Sequence, residues 1–199
     1  MRRTQQDRSA ATKAALIAAA RELFAARGYA DVPADEIVKA AGVTRGALYH
    51  HFDDKQKLFR AVVEQLEAEI TAELRELVAG APDIATVTLA ALSAYLDICG
   101  RPEVRRLALT DAPTVLGWKE WRALQADHGL GLIADILRRA MDENLVARQR
   151  VDVLAQLVLS TVTEAGLIVA SADDPAAVRP EVERSLGLFF SALFAGQSG

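Results

Sequence analysis

A short polar surface near residue 45 carries the side chains best suited to specific recognition in this sequence. At helical spacing, four residues share the side of this segment that faces away from its apolar side chains: Arg45, Gly46, Tyr49 and His50. An arginine guanidinium can donate two parallel hydrogen bonds to guanine O6 and N7. Arg45 is the one side chain of the segment able to do so. The residue types therefore indicate contact with base edges in a DNA groove.

Two short helices and a tight turn are predicted to position these residues. The first helix is predicted over Ala34–Ala41, and Gly42 follows it where the turn needs a residue that tolerates positive φ. Thr44 is a favourable N-cap for the second helix, which is predicted over Arg45–Phe52. Two short helices, a turn containing glycine and a polar outer face on the second helix are what insertion into the major groove requires.

The same segment resembles the DNA-binding domain of the TetR family of bacterial one-component repressors. The likeness is carried by GALYHHFDDKQKLF, with AAGVTR before it, and by AALIAAARELFAARGYADV, which is similar to the family's first helix. It covers about residues 12 to 63. Val32, Pro33 and Ala34 stand where the family usually has a serine or threonine that contacts a phosphate, and Val38 stands where a small alanine is common.

The resemblance implies how the domain contacts DNA. It places the helix Arg45–Phe52 in the major groove, with its amino-terminal half at the base edges. Thr44 would contact a phosphate or a thymine methyl group, and Gly46 would let the backbone come close to the DNA. Tyr49 and His50 are long enough to reach phosphates that flank the groove.

Further basic residues near the amino terminus would add phosphate contacts. Lys55, at the start of the fourth helix, would pair with a phosphate, aided by the amino end of that helix. Arg2, Arg3 and Arg8 form either a flexible arm along the DNA or an inert tail. Residues 1–60 hold eleven Lys and Arg against seven Asp and Glu, a net charge of +4, while the remainder holds twelve against twenty, a net charge of −8. A basic end beside an acidic body is expected if only the first domain approaches phosphate.

Helical periodicity extends along the whole chain. Apolar residues recur at steps of three and four in about nine segments, and no stretch alternates as a β-strand does. We therefore predict an all-α fold with a three-helix helix-turn-helix domain over residues 1–55. A helical bundle for effector binding and dimerisation is predicted over residues 56–199. The sixth helix is predicted over Pro102–Leu109, with a loop over Thr110–Gly117.

Composition favours a soluble, cytoplasmic protein. The 199 residues are 51% hydrophobic and 25% charged, which suffices for one or two compact domains. The single Cys99 excludes an internal disulfide and fits a reducing compartment. The Ala-rich start is interrupted by Arg21 and Glu22, unlike a secretory signal. The most apolar run, Val153–Ala170, contains Gln156, Thr161, Thr163 and Glu164, so it is not predicted to span a membrane.

The last two helices carry more apolar surface than one domain core requires. The ninth has four apolar residues on one seam, Val182, Leu186, Phe189 and Leu193, and the eighth has an apolar band too wide for one neighbour. The resemblance implies a homodimer, because the corresponding helices of the TetR family form a four-helix interface. A two-fold dimer sets two reading helices about 34 Å apart on a palindromic site. The alternative is that both stripes form the internal core of a monomer.

A ligand pocket is predicted where polar and aromatic residues concentrate: Tyr95, Cys99, Trp118, Trp121 and His128. A mostly apolar cavity with a few polar groups suits a small organic effector. Thr161 and Glu164, in the apolar eighth helix, are predicted to contact the effector from the opposite wall. Burying a carboxylate without a partner is costly, so Glu164 either serves a ligand or pairs with an arginine at the dimer interface. Core packing is the competing interpretation for each residue.

No cofactor and no metal site are predicted. His50 and His51 are adjacent and point about a hundred degrees apart on a helix, so they cannot chelate one metal ion together. The sequence has no serine in a nucleophile turn, no phosphate-binding loop and no H-E-x-x-H motif. Cys99 and His128 are a pair that a fold could bring together, but no third orienting group is evident.

These observations predict a ligand-responsive transcriptional regulator, with repression the usual outcome in the family. It would bind a palindromic operator as a homodimer and be released by a small, largely apolar effector that displaces the fourth helix. The effector can act only through different affinities for two states. Two alternatives remain: a DNA-binding repressor that senses no effector, and a small-molecule-binding enzyme whose amino-terminal motif is incidental.

Overall fold

The fold is all-α, as the sequence predicted. The computed structural model describes residues 5–80 and 83–195, and these residues form helices and no β-strand. Pro102–Val104, the π-helical Arg105–Asp111 and Ala112–Val115 follow without a break and are treated as one helix, α6. The nine helices of the described ranges are α1 (Gln5–Arg27), α2 (Ala34–Ala40), α3 (Arg45–Phe52), α4 (Lys55–Val78), α5 (Ile84–Gly100), α6 (Pro102–Val115), α7 (Trp118–Asp142), α8 (Val151–Ser171) and α9 (Pro175–Ala195).

Helix α1 is longer than its apolar stripe indicates. The stripe predicts a start near Thr12, whereas the helix begins at Gln5 with exposed residues. Exposed turns need no core partner when they consist mostly of residues with good helix propensity. Arg8 lies in this exposed part, while Arg2 and Arg3 of the predicted arm lie outside the described residues.

Three helices enclose a small core at the amino-terminal end. Leu16, Ala20 and Phe24 recur every four residues along α1 and are fully buried. Ile37 of α2 and Leu48 of α3 belong to the same apolar cluster. Burying such a side chain contributes roughly 1.5–3 kcal/mol. This packing fixes which side of α3 faces inward and leaves its polar side at the surface.

Helix α4 belongs to this small core and to the bundle alike. The Asp54 carboxylate caps it by accepting a hydrogen bond from the backbone N–H of Lys57 at 2.7 Å. Near its start, the Phe59 ring meets the Phe24 ring edge-on at 5.4 Å. Along its length α4 packs against α1, α5 and α7. One continuous cluster of buried side chains therefore extends from α1 to Trp121 of α7.

The loop predicted over Thr110–Gly117 is wrong for most of its length, because α6 continues to Val115. Residues Arg105–Asp111 have π-helical hydrogen bonding, and the Thr110 hydroxyl donates to the carbonyl of Arg105 at 2.8 Å. Pro113 follows in the first turn after this segment, where it is tolerated because the regular i→i−4 ladder is already interrupted.

Helix α8 lies at the centre of the bundle, in contact with α5, α7 and α9. Among the helices of the described residues, only α8 (Val151–Ser171) is by itself long and apolar enough to cross a membrane. Helices α5 and α6 pass only if they are joined across a 72° bend. Core helices of helical bundles have the same composition, and Leu159, Val162 and Val169 of α8 are buried against neighbouring helices.

Helices α5 and α8 approach so closely at Gly166 that a Cβ atom there would lie 2.8 Å from Cys99 Sγ and 3.3 Å from Tyr95 Oη. We expect Gly166→Ala to lower the free energy of unfolding by about 1–3 kcal/mol, the usual cost of overpacking a core. Urea denaturation measures this change. The matched control is Gly131→Ala in α7, where the nearest atom to an added Cβ is Arg75 Nη2 at 4.0 Å. The control should be neutral or stabilising by up to about 1 kcal/mol, and equal losses in both variants would contradict the close approach.

Candidate functional site

The turn before α3 has the geometry that its residues predict. Gly42 has a φ of +67°, which a residue with a side chain adopts only with strain. Thr44 is the N-cap of α3, and its hydroxyl accepts a hydrogen bond from the backbone N–H of Ala47 at 3.3 Å. Leu48 and Phe52 are buried on the inner side of the helix. The turn and this burial together hold the opposite side of α3 towards solvent.

Arg45 projects from the first turn of α3 and its side chain is 62% exposed. Its guanidinium lies 3.1 Å from an Asp35 carboxylate oxygen and donates a hydrogen bond to the Tyr49 hydroxyl at 3.4 Å. The guanidinium carbon also lies 5.6 Å from the centre of the Tyr49 ring. Ion pairs this exposed are weak, so Asp35 does not hold the Arg45 guanidinium in one place.

The remaining residues of the polar surface are accessible. Tyr49 and His50 are exposed, while His51 is half-buried with its ring 5.2 Å from that of His50. A Cβ atom on Gly46 would meet nothing closer than the Thr44 hydroxyl at 3.9 Å, so the helix surface is flat there. A flat surface allows close approach of a second backbone.

The Lys55 ammonium is held in place more firmly than that of an exposed lysine that contacts a phosphate. Its ammonium donates to the backbone carbonyl of Tyr29 at 2.6 Å and lies 4.0 Å from the centre of the Tyr29 ring. Burial lowers the pKa of this lysine. The amino end of α4 is also occupied, since Asp54 accepts from the N–H of Lys57. A phosphate contact by Lys55 would have to use the ammonium protons that the Tyr29 carbonyl leaves free.

An interior cavity of about 110 Å³ lies between α4, α5, α7, α8 and α9. Its walls are mostly aliphatic and aromatic, with polar groups from four of the five helices. The polar lining residues are Glu67, Thr71, Thr88, Tyr95, Gln125 and Thr163. A concave, largely apolar site with a few polar groups is the usual form of a small-molecule site.

Glu67 is the most unusual of these residues, and it is not among the ligand-binding residues that the sequence predicts. Burial raises the pKa of its carboxyl group from 4.5 to about 7. The signal was present in α4, where Glu67 lies four residues after Val63 and three before Ile70, both of which are buried. The nearby Glu64 and Glu69 are exposed. Among these acidic residues, Glu67 is not easily recognised as the one at the inner edge of the apolar stripe.

Tyr95 is the one predicted ligand residue that lines this cavity. Its hydroxyl interacts with the Cys99 thiol and the Thr163 hydroxyl. Burial raises the pKa of Tyr95 above its ordinary range and that of Cys99 to about 12. Because the thiolate is the reactive form of cysteine, the protonated Cys99 is a packing residue behind Tyr95 and a poor nucleophile.

The other aromatic residues predicted for the pocket lie outside this cavity. Trp121 is fully buried, and its indole N–H donates to the carbonyl of Ala108 at 2.8 Å. Trp118 is 63% exposed, with its ring 5.1 Å from that of Trp121. His128 is half-buried and does not line the cavity. Trp118 and Trp121 fall in the first turn of α7, whereas the cavity begins one turn later at Gln125.

Thr161 and Glu164 are also outside the cavity and line a second groove between α8 and α9. Successive residues of a helix point about a hundred degrees apart, so the neighbouring Val162 and Thr163 face the cavity instead. Glu164 is exposed, and the Thr161 hydroxyl donates to the carbonyl of Leu157 at 2.9 Å. The full lining of this outer groove is Leu157, Ser160, Thr161, Glu164, Ala165, Ile168, Val178, Glu181, Val182, Ser185, Leu186 and Phe189.

Comparison with known proteins identifies this arrangement of helices. Residues 16–62 match the family described as "Bacterial regulatory proteins, tetR family", and residues 85–193 match the "Tetracyclin repressor-like, C-terminal domain". The chain belongs to the TetR family. HTH-type transcriptional repressor Rv1474c of Mycobacterium tuberculosis is 31% identical over 94% of this chain and 98% of its own length.

Further TetR-family relatives agree with this assignment. The crystal structure of a TetR-family transcriptional regulator from Pectobacterium atrosepticum superposes with a TM-score of 0.85 at 33% identity, covering 96% of this chain and 98% of that one. The transposon Tn10 TetC protein of Escherichia coli is 29% identical over 77% of this chain and 78% of its own length. In this TetR-family chain, α2 and α3 fall within the first matched region. The second matched region holds α6, α7, α8 and most of the cavity wall.

The buried carboxyl group of Glu67 gives stability a defined pH dependence. Below pH 4.5 it is protonated in both the folded and unfolded states. Between pH 4.5 and about 7 the folded state holds more protons, so its contribution to stability is lost as the pH rises. Tyr95 and Cys99, which face Glu67, remain protonated across this window.

Glu67→Gln should therefore flatten the decline in stability between pH 4.5 and 7. The expected gain at pH 7.5 is roughly 3 kcal/mol relative to the wild type, since one pKa unit corresponds to about 1.4 kcal/mol. Chemical denaturation at several pH values measures it. Glu76→Gln, at an exposed position of the same helix, is the control and should leave the profile unchanged. A wild-type profile that the Glu67 substitution does not alter would contradict the burial of this carboxylate.

Proposed function

We propose that this TetR-family regulator is a cytoplasmic repressor that binds a palindromic operator as a homodimer and is released by a small, largely apolar effector. The observation that carries the proposal is the position of α4. Its start packs in the helix-turn-helix core, and Glu67, Ile70, Thr71 and Leu74 in its second half line the interior cavity. A ligand in the cavity thus contacts the same helix that supports the DNA-reading domain.

The polar side of α3 would read the operator. Arg45 would make the base-specific contact, after exchanging Asp35 for a guanine edge. Thr44, Tyr49 and His50 would contact the flanking backbone, while Gly46 leaves room for it. Lys55 remains a proposed phosphate contact through the ammonium protons that the Tyr29 carbonyl does not use.

The outer groove of α8 and α9 is the proposed dimer interface. Leu157, Ile168 and Phe189 line it with exposed fractions of 60%, 46% and 70%. Contiguous apolar patches of this kind mark interaction sites more often than free surface. A two-fold partner on this groove would bury them and set the two α3 helices at the fixed separation that a palindromic site requires.

Contacts between α6 and the DNA-reading domain support a coupling of the two regions. The Asp111 carboxylate accepts a hydrogen bond from the backbone N–H of Tyr29 at 2.8 Å. Arg21 of α1 pairs with Glu103 of α6 at 2.7 Å, and also with Glu69 of α4. These bonds cross from one region to the other, so a shift of α4 or α6 would be passed to α1. The effector would stabilise the arrangement whose α3 separation does not fit the operator.

The two alternative functions have weaker support. A repressor that senses nothing needs no cavity, whereas this bundle encloses one lined by polar groups from four helices. The enzymatic alternative rested on Cys99 and His128. The raised pKa of Cys99 removes the thiolate that such chemistry would use.

Selection of bound genomic fragments, followed by binding assays on single-base variants of the operator, tests the DNA-reading part. Arg45→Ala should cost about 1–3 kcal/mol of operator affinity and relax the preference at one base pair in each half-site. Arg148→Ala removes the same charge from an exposed arginine between α7 and α8 and should change neither quantity. A uniform loss over all DNA sequences would make Arg45 a phosphate contact, and no preference for any duplex would overturn the proposed function.

Substitution in the outer groove tests the dimer. Phe189→Glu should convert the dimer to a monomer in sedimentation velocity, because it puts a charge where an apolar patch would be desolvated. Operator affinity should fall in parallel, since the two half-sites would no longer be bound together. Leu77→Glu is the control, at an exposed leucine of α4 outside the groove. A Phe189 variant that remains dimeric would assign the interface to another surface.

A further inference from the structure

The cavity contains one ionisable carboxyl group and nothing in its walls to neutralise it. No Lys, Arg or His is among the residues that line it. Within the described ranges, Glu67 has neither a hydrogen bond nor an ion pair to another residue. Three other acidic residues of α4 are paired: Glu64 with Arg60, Glu69 with Arg21, and Glu73 with Arg101. The fourth, Glu76, is exposed to water. Glu67 differs from all four because its carboxyl group faces an apolar cavity without a basic partner.

A buried carboxylate without a partner is costly, so either a proton or a nearby positive charge stabilises the site. In the empty cavity the carboxyl group keeps its proton up to a pKa of about 7, and above that pH the ionised form has no partner. A cationic ligand would stabilise that form, because it brings the missing charge into the site. Such a ligand would gain an ion pair in a medium of low dielectric constant, where charge-assisted hydrogen bonds are stronger than in water.

The remaining walls also suit a cation. Tyr95, Phe190 and Phe194 place three aromatic rings around the cavity. The face of an aromatic ring attracts an ammonium group, by about 2 kcal/mol or more when the pair is desolvated. An anionic ligand would meet the opposite conditions, since it would face Glu67. The Arg122 guanidinium does not line the cavity, and it donates its hydrogen bonds to Gln125, Thr163 and Ser160. The lining residues therefore favour cations over carboxylates.

The cavity volume limits the size of the ligand. An apolar cavity of about 150 Å³ is known to hold one benzene molecule, and the present cavity measures about 110 Å³. A short hydrocarbon chain is the largest apolar portion that this volume admits without displacement of a helix. A single aromatic ring would push against the walls, which include Ile70 and Leu74 of α4, and this is the displacement that release from DNA would require.

We propose that the effector of this protein is a small lipophilic ammonium ion, whose nitrogen pairs with the Glu67 carboxylate while its hydrocarbon portion fills the apolar cavity. This inference rests on the proposed function, because it specifies the chemistry of the effector. Tyr95 would orient the ligand from the opposite side, with its hydroxyl held by Cys99 and Thr163.

Isothermal titration of the full-length protein at pH 7.5 with three matched probes tests the proposal. The probes are benzylammonium, benzyl alcohol and benzoate, which share a ring and differ in charge. We expect benzylammonium to bind about ten- to a hundredfold more tightly than benzyl alcohol, the range of a hydrogen bond to a charged group. Benzoate should not bind.

Two variants assign the preference to one residue. Glu67→Gln keeps the shape of the side chain and should abolish the preference for benzylammonium, while Glu76→Gln on the exposed side of α4 should leave it intact. Thermal unfolding of each variant shows that it is folded before titration. Equal binding of the ammonium and the alcohol, tightest binding of benzoate, no binding of any probe, or a preference that survives Glu67→Gln would each overturn the inference.

Operator binding, measured on the same preparations, separates this inference from the proposed function. If the protein binds its operator but benzylammonium has no measurable affinity, the effector assignment fails and the DNA-binding function stands. If benzylammonium binds with the expected dependence on Glu67 but no duplex is preferred, the proposed repressor function fails while the ligand chemistry stands. Release of the operator by benzylammonium in the wild type, and its loss in Glu67→Gln, would support both.

Discussion

The apolar packing along α4 is the constraint on which the rest of this structure depends. One end of the helix completes the core beneath the DNA-reading helix, through Phe59 against Phe24. The other end forms a wall of the cavity, through Ile70 and Leu74. Because packed side chains resist compression, the two ends of α4 cannot move independently. In the proposed dimer, α4 would thus link the separation of the two α3 helices to the contents of the cavity, without any direct contact between ligand and DNA.

Polar contacts also connect α4 and α6 with the DNA-reading domain. Arg21 bridges α1 to both α4 and α6, and the Asp111 carboxylate holds the backbone of the turn after α1. Such pairs are individually weak where they are exposed to water. Their value lies in geometry, since they fix α6 against the DNA-reading domain. The π-helical turn of α6 lies in the same region, and π-helical segments often occur at functional positions.

Two features reduce the stability of the isolated chain and agree with the partners proposed above. The carboxyl group of Glu67 lies in an apolar cavity, where its ionisation is disfavoured. The outer groove exposes Leu157 and Phe189 to solvent. A protein optimised for stability alone would have a hydrocarbon side chain in place of Glu67. It would also have polar residues along the outer groove. A ligand and a second copy of the chain are the partners that would relieve these two costs.

Local interactions are what the sequence by itself determined. The steps of three and four between apolar residues, the positive φ of Gly42 and the hydroxyl cap of Thr44 each depend on neighbours within a few positions. The helices, the turn and the exposed side of α3 could therefore be predicted. Which face of each bundle helix is turned towards the cavity could not be predicted in this way. Thr163 and Glu164 differ by one position and about a hundred degrees, yet one meets the cavity and the other the outer groove. Helix α8 is apolar on more than one side, so only its packing against α5, α7 and α9 decided which residues the cavity received.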